Sequence, residues 1–235
     1  MQQVVSMDKI ASNPCMATQL EQKITELLAK SREEEITAGL KPLGTRLAQL
    51  FGQGDATETE QKLMPFCRDY IALVPSIAHS LQGIGVEFRL SGLLDPYLKL
   101  STQYLASACE EIDTTSEEVG LEQFLILLQG AYIFCRMLEE LNDKIEVFVG
   151  IPLHHISMMD ANLLIHEVIG DSFANRLDKV VASLIKQSKV SKSVIEASLD
   201  KNKVETGIKE HLSLTGQPIE NFAARHGLDM LSGFA

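Results

Sequence analysis

The stretch LEQFLILLQGAYIFCRMLEELNDKIEVFV, residues 121–149, decides the fold. A heptad laid on it puts Leu121, Leu128, Cys135, Asn142 and Val149 at a, and Phe124, Ala131, Leu138 and Ile145 at d. The g positions are Leu127, Phe134, Leu141 and Phe148, all apolar. An a/d/g face is wider than a coiled-coil seam, so the helix belongs against the core of a bundle. The e positions change along its length, from Leu125 and Tyr132 to Glu139 and Glu146. The first half should therefore be enclosed, while the second half turns an acidic side outward. Thr115 or Ser116 is expected to cap this helix, with Glu117 and Glu118 in its positive first turn. It then runs over about 116–149 and stops at Gly150-Ile151-Pro152. Asn142, the one amide at an a position, either fixes register in a helical seam or bonds a neighbouring helix.

Nearly every other periodic segment has the helical period. Leu20, Ile24, Leu27 and Leu28 make one stripe, followed by an exposed Arg32–Glu35 run, and Pro42 with Gly44 should end or kink that helix. Leu43, Leu47, Leu50 and Phe51 suggest a short second helix. Thr57 and Glu60 read as a capping box ahead of Leu63, Phe66, Cys67, Tyr70, Ile71 and Val74, with Pro75 as a break or kink. Val86, Phe88 and Leu90 alternate as a strand would, but an isolated strand is not stable, so residues 76–94 read as helix, then loop. Asp95-Pro96 opens the next helix, with Tyr97, Leu98, Tyr104, Leu105, Ala108 and Ile112. Asp160 is expected to cap a helix to Ile169. Asp171 or Ser172 then caps one with Phe173, Leu177, Val180, Val181, Leu184 and Ile185 on a face. A last pair covers roughly 193–212 and 218–226, with Gly227 as a C-terminal cap. The fold class is thus all-α, a compact multi-helix bundle forming one domain over residues 1–235, with residues 1–16 outside its ordered part.

Composition bounds the function. The 235 residues are 45% hydrophobic and 23% charged, an ordinary globular balance. The net charge of -11 repels phosphate backbones, so nucleic acid is not an expected partner. Residues 116–150 hold seven of the acidic and two of the basic side chains, whereas Arg176–Lys192 holds five basic residues against Asp178. No two of Cys15, Cys67, Cys109 and Cys135 make a CxxC pair, and three of them sit in apolar helical patterns, which suits a reducing cytoplasm. The N-terminus lacks a signal-peptide pattern, and the longest uncharged run, Tyr70–Val86, is too short and too interrupted for a bilayer. The apolar end of Gly216–Ala235 needs a surface to cover it, and its own bundle is the expected one.

Two constellations carry ligand-type residues. Glu139, Asp143 and Glu146 fall within about 60° on one helical face, the spacing at which bundle helices hold magnesium or manganese. This resembles half of the motif of all-α nucleoside triphosphate pyrophosphatases; the other half, an upstream ExxE, is missing among Glu117, Glu118 and Glu122. The second is His154, His155, Asp160, His166, Glu167 and Asp171, without HxxxH or HExxH spacing, and with Asn162–His166 and Glu167–Asp171 expected as surface pairs. Gly83-Ile84-Gly85 lacks a third glycine, and Ser183 with Lys186 forms an SxxK without companions. The expectation is therefore a cytoplasmic protein that works through protein contacts, as a homodimer, with no cofactor, nucleic acid or membrane. The alternatives are a metal-dependent hydrolase on the Glu139, Asp143 and Glu146 face, and an apolar small-ligand binder.

Overall fold

Residues 121–149 form one uninterrupted helix with others packed around it. The computed structural model describes residues 16–51, 56–87, 90–115, 117–153, 156–188, 205, 206, 209 and 220–228. Along the chain these residues form α1 (Met16–Ala29), α2 (Glu33–Phe51), α3 (Ala56–Glu87), α4 (Ser91–Thr115) and α5 (Leu121–Val149). They continue with β1 (Ile156–Ser157), α6 (Met159–Ile169), α7 (Asp171–Ser188), β2 (Glu220–Asn221) and α8 (Phe222–Arg225). The protein is an all-α bundle: α2 and α1 pack on α3, and α4, α3, α6 and α7 pack around α5.

The heptad of α5 is realised almost position by position. Phe124, Leu127, Leu128, Ala131, Phe134, Cys135, Leu138, Leu141, Ile145 and Val149 are all buried, and Tyr132 at an e position is buried with them. Among the described residues α5 is also the one helix with the length and apolar content of a membrane span, and 61% of its most apolar window is buried inside the protein. Removing this surface from water, at about 25 cal/mol per Å², is the main force holding the bundle together. The α4 and α5 backbones approach closely at Gly130, where an added Cβ would lie 2.8 Å from the Cα of Leu105 on α4. Gly130→Ala should therefore lower stability by about 1–3 kcal/mol through overpacking, although alanine is the better helix former. Thermal unfolding checks this; an unchanged or higher Tm would show that α4 and α5 part without cost.

Several boundaries differ from those expected. Thr115 closes α4, and α5 starts only at Leu121, with Gly120 as its N-cap. Between them Val119 is buried and pairs with the α1–α2 connection: its N–H donates to the Lys30 carbonyl at 3.1 Å, and its carbonyl accepts from Arg32 at 2.9 Å. That extended pairing is incompatible with a helix over 117–120. The first free N–H of α5, Leu121, is met by Glu35 of α2 at 3.1 Å. Glu33–Glu35 thus form the acidic first turn of α2, and Pro42 lies inside that helix. α3 likewise continues through Pro65 and Pro75, because Leu63, Phe66, Tyr70, Ile71 and Val74 before Pro75, and Ile77, Ala78 and Leu81 after it, bury one continuous stripe. That burial outweighs a cost of about 3 kcal/mol for an interior proline. Thr57 is within α3, while Glu60 reaches α2 and accepts from Thr45 at 2.8 Å. Asp95-Pro96 is within α4, which starts at Ser91, and Tyr104 of its expected stripe is 44% exposed.

Asn142 does not sit in a helical seam. It is half-buried, and its Oδ1 accepts from the Leu153 N–H at 2.7 Å, tying α5 to the loop that follows Gly150, which has φ 88°. The expected helix over 193–212 lies outside the described residues apart from isolated positions, as do His154, His155 and Cys15.

Residues 220–228 dock on the bundle. β2 pairs in parallel with β1 through Glu220 and Asn221, a two-residue ladder that helical periodicity does not reveal. Asn221 caps α8 with its Oδ1 and donates through Nδ2 to Asp160 at 2.6 Å. Phe222 is buried against Phe66 and Tyr70 of α3, with ring centroids 5.7 and 6.2 Å away. His226 closes the turn, edge-on to Phe66 at 5.5 Å, with Gly227 at φ 64° behind it. The His226 Nε2 is buried without a hydrogen bond, 3.6 Å from the Asp69 carboxylate. Burial pushes its pKa below the ordinary 6.5; Asp69 opposes that shift and Arg225 adds to it. Well above pH 6.5 the ring is neutral in both states and the docking is intact. As pH falls below 6.5, the unfolded chain takes up the proton first and stability is lost. His226→Phe should therefore flatten the fall in Tm that the wild type shows between about pH 7.5 and 5.5; parallel curves for the two proteins would refute this origin.

Candidate functional site

Positions 132, 136, 139, 143 and 146 follow the spacing that keeps side chains on one helical face. On α5 they are Tyr132, Arg136, Glu139, Asp143 and Glu146, and this polar stripe emerges where the enclosed half of the helix gives way to its acidic half. Its upper part is threaded into the interior. The Arg136 guanidinium pairs with Glu139 one turn along and reaches Asp178 of α7 at 3.4 Å. The Tyr132 hydroxyl donates to the same Asp178 oxygen at 3.0 Å. Asn162 of α6 donates to Glu139 at 2.7 Å and accepts from the buried Tyr70 hydroxyl of α3 at 2.6 Å. Six side chains on four helices thus form one connected chain of bonds.

The network governs local protonation. Burial alone would weaken the charge on Arg136, but Glu139, by charge and by hydrogen bond, more than reverses this and holds its pKa above the ordinary range. Tyr132 and Tyr70 are held protonated, first by burial and then by neighbouring groups, among them Asp178 for Tyr132. Burial pushes the Cys135 thiol up to about 12, and the Cys109 thiol likewise. Cys67 is raised as well, so these buried thiols are in their unreactive form.

Two clefts open along the stripe and meet at Glu139 and Met159. One, of about 170 Å³, lies between Glu139, Asn142, Asp143 and Glu146 and the loop of Pro152, Ile156 and Met158. The other, of about 390 Å³, is lined by Tyr132, Arg136, Asn162, Leu163, His166 and Asp178. The structure thus brings Glu139, Asp143 and Glu146 to one cleft wall. Asp143 and Glu146 are exposed there, while Glu139 is half-buried and occupied by Arg136 and Asn162. Burial, and then the charges of Glu139, Glu140 and Glu146, raise the pKa of Asp143. Neither cleft is walled by apolar side chains alone.

The second constellation divides. Asp160 and Asn162 are buried, not surface residues, and bond Asn221 and the Tyr70–Glu139 pair. The N-cap of α6 is Met158, so Asp160 falls in its first turn. Glu167 pairs with Arg46 of α2 at 2.6 Å instead of Asp171, and His166 Nδ1 faces Asp171 at 3.5 Å. Ser183 of the SxxK accepts from Gln187 on an exposed face. Among the described residues, His166, Glu167 and Asp171 are the group whose ligand atoms lie within 4.8 Å of one another. Helical spacing alone sets Arg136 one turn from Glu139, but not Asp178 or Tyr70, whose roles depend on helices far away along the chain.

Asn162→Ala removes the acceptor of the buried Tyr70 hydroxyl and one of two donors to a Glu139 oxygen, which keeps Arg136. Leaving the Tyr70 hydroxyl unpaired should cost about 1–3 kcal/mol, measured by denaturant unfolding; a loss below about 0.5 kcal/mol would mean that water meets the hydroxyl equally well.

No protein-family model, curated protein or solved structure matches this chain.

Proposed function

We propose that this protein works in the cytoplasm through contacts with other proteins and that it forms a homodimer through the faces of α5, α6 and α7. The observation that carries this reading is the pair Met159 and Leu163, 57% and 49% exposed, one turn apart on α6 at the rim of the two clefts. Two large apolar side chains left in water beside fixed charges are a signature of a surface that another molecule covers. Phe173 at the start of α7 is 36% exposed, with the Arg176 guanidinium 4.6 Å from its ring centroid. Charge supports self-pairing. Asp143 and Glu146 are exposed on α5, and Arg176, Lys179 and Lys186 are exposed on α7. A two-fold axis sets the same patch against itself, so each protomer's basic helix can meet the other's acidic one.

The test is sedimentation velocity with light scattering on the full chain. The wild type should run as a dimer, and Met159→Glu with Leu163→Glu should give a monomer with unchanged helical content, since both side chains are exposed. High salt should weaken the dimer by screening the charge pairs. A wild-type monomer at all concentrations, or a dimer indifferent to both substitutions, would overturn the reading.

A further inference from the structure

We propose that His166, Glu167 and Asp171 form a divalent-metal site of the zinc type, and this does not rest on the dimer. The site is made by the turn between two helices. α6 ends at Ile169, Gly170 turns the chain with φ 89°, and α7 opens on Asp171, so the last turn of one helix meets the first residue of the next. One imidazole nitrogen and two carboxylates result, with ligand atoms all within 4.8 Å of one another.

The one spacing between His166 and Asp171 is that of ligands around an ion more than of a hydrogen bond. His166 Nδ1 and Asp171 Oδ1 are 3.5 Å apart, beyond the usual N–H···O range of about 2.7–3.2 Å. Two ligands bonded to zinc at about 2.0–2.1 Å in a tetrahedron stand about 3.3–3.4 Å apart, which this pair nearly meets. Arg46 holds one Glu167 oxygen at 2.6 Å, leaving the second oxygen for an ion and fixing the carboxylate as an outer-sphere partner does. The Tyr132 ring, edge-on to His166 with centroids 6.4 Å apart, limits rotation of the imidazole. His166 is also a wall of the 390 Å³ cleft, so an ion there borders a space open to a further ligand. Mixed nitrogen and oxygen donors select zinc, cobalt or manganese over calcium.

The experiment is calorimetric titration of the full chain with Zn²⁺, with Co²⁺ absorption as a spectroscopic check. The result expected is one ion per chain, a Co²⁺ spectrum of low coordination number, and binding weakened by at least about tenfold in both His166→Gln and Asp171→Asn. Asp171 is 64% exposed, so its variant keeps the fold even where His166→Gln does not. His154→Ala with His155→Ala should leave binding unchanged. Absence of zinc binding by the wild type, binding untouched by Asp171→Asn, or binding lost in the His154 and His155 variant would overturn the site.

Discussion

Glu139 brings a carboxylate into the wall of a largely apolar bundle, and its oxygen is shared between Arg136 and Asn162. A half-buried charge is tolerable only when its partners hold it in place, since losing one leaves the other exposed to a low-dielectric surrounding. This requirement fixes where the helices lie. Arg136 must also reach Asp178, which sets α7 against α5, and Asn162 must also reach Tyr70, which sets α6 over α3. The apolar face of α5 says that helices surround it; the polar chain says which ones, and at what rotation.

What was legible in the sequence follows the range of the interactions. The stripe of Leu63, Phe66, Cys67, Tyr70, Ile71 and Val74, and the heptad of α5, are local repeats, and each of the six α3 residues is buried. The start of α5 was illegible because Val119 answers the backbone of Lys30 and Arg32, residues far behind it in the chain. Pro75 misled for a related reason: propensity marks a break, and packing on both sides of it overrides that preference. Asn162 reads as a surface residue because helical spacing places a side chain on a face without saying whether that face meets water or Tyr70. The acidic face of α5 was legible as a face, but that it walls a cleft depends on Pro152, Ile156, Ser157 and Met158 lying opposite it.

The polar stripe and the exposed apolar pair share one place, the junction of α5 with α6. Met159 belongs to both clefts, and Glu139 is their common wall. Charge in this region is graded: Arg136 is paired inside with two carboxylates, whereas Asp143 and Glu146 further along have no ion pair among the described residues. Burial is the first cause of the raised pKa of Asp143, and the excess of negative charge on the stripe adds to it. A cationic group that settles there relieves repulsion already present in the fold.

The docking of residues 220–228 also has a temporal side. Phe222 covers Phe66 and Tyr70 across most of the length of the chain. A ribosome delivers residues in order, so α1 to α7 emerge and begin to pack while this aromatic surface is still bare. Contacts that join such distant parts carry a large loop-closure entropy and form last. Until Phe222 arrives, the nascent protein presents a sticky flank on α3. Premature termination between α7 and Phe222 would leave a nearly complete bundle with that flank uncovered, a form suited to capture by chaperones or to aggregation.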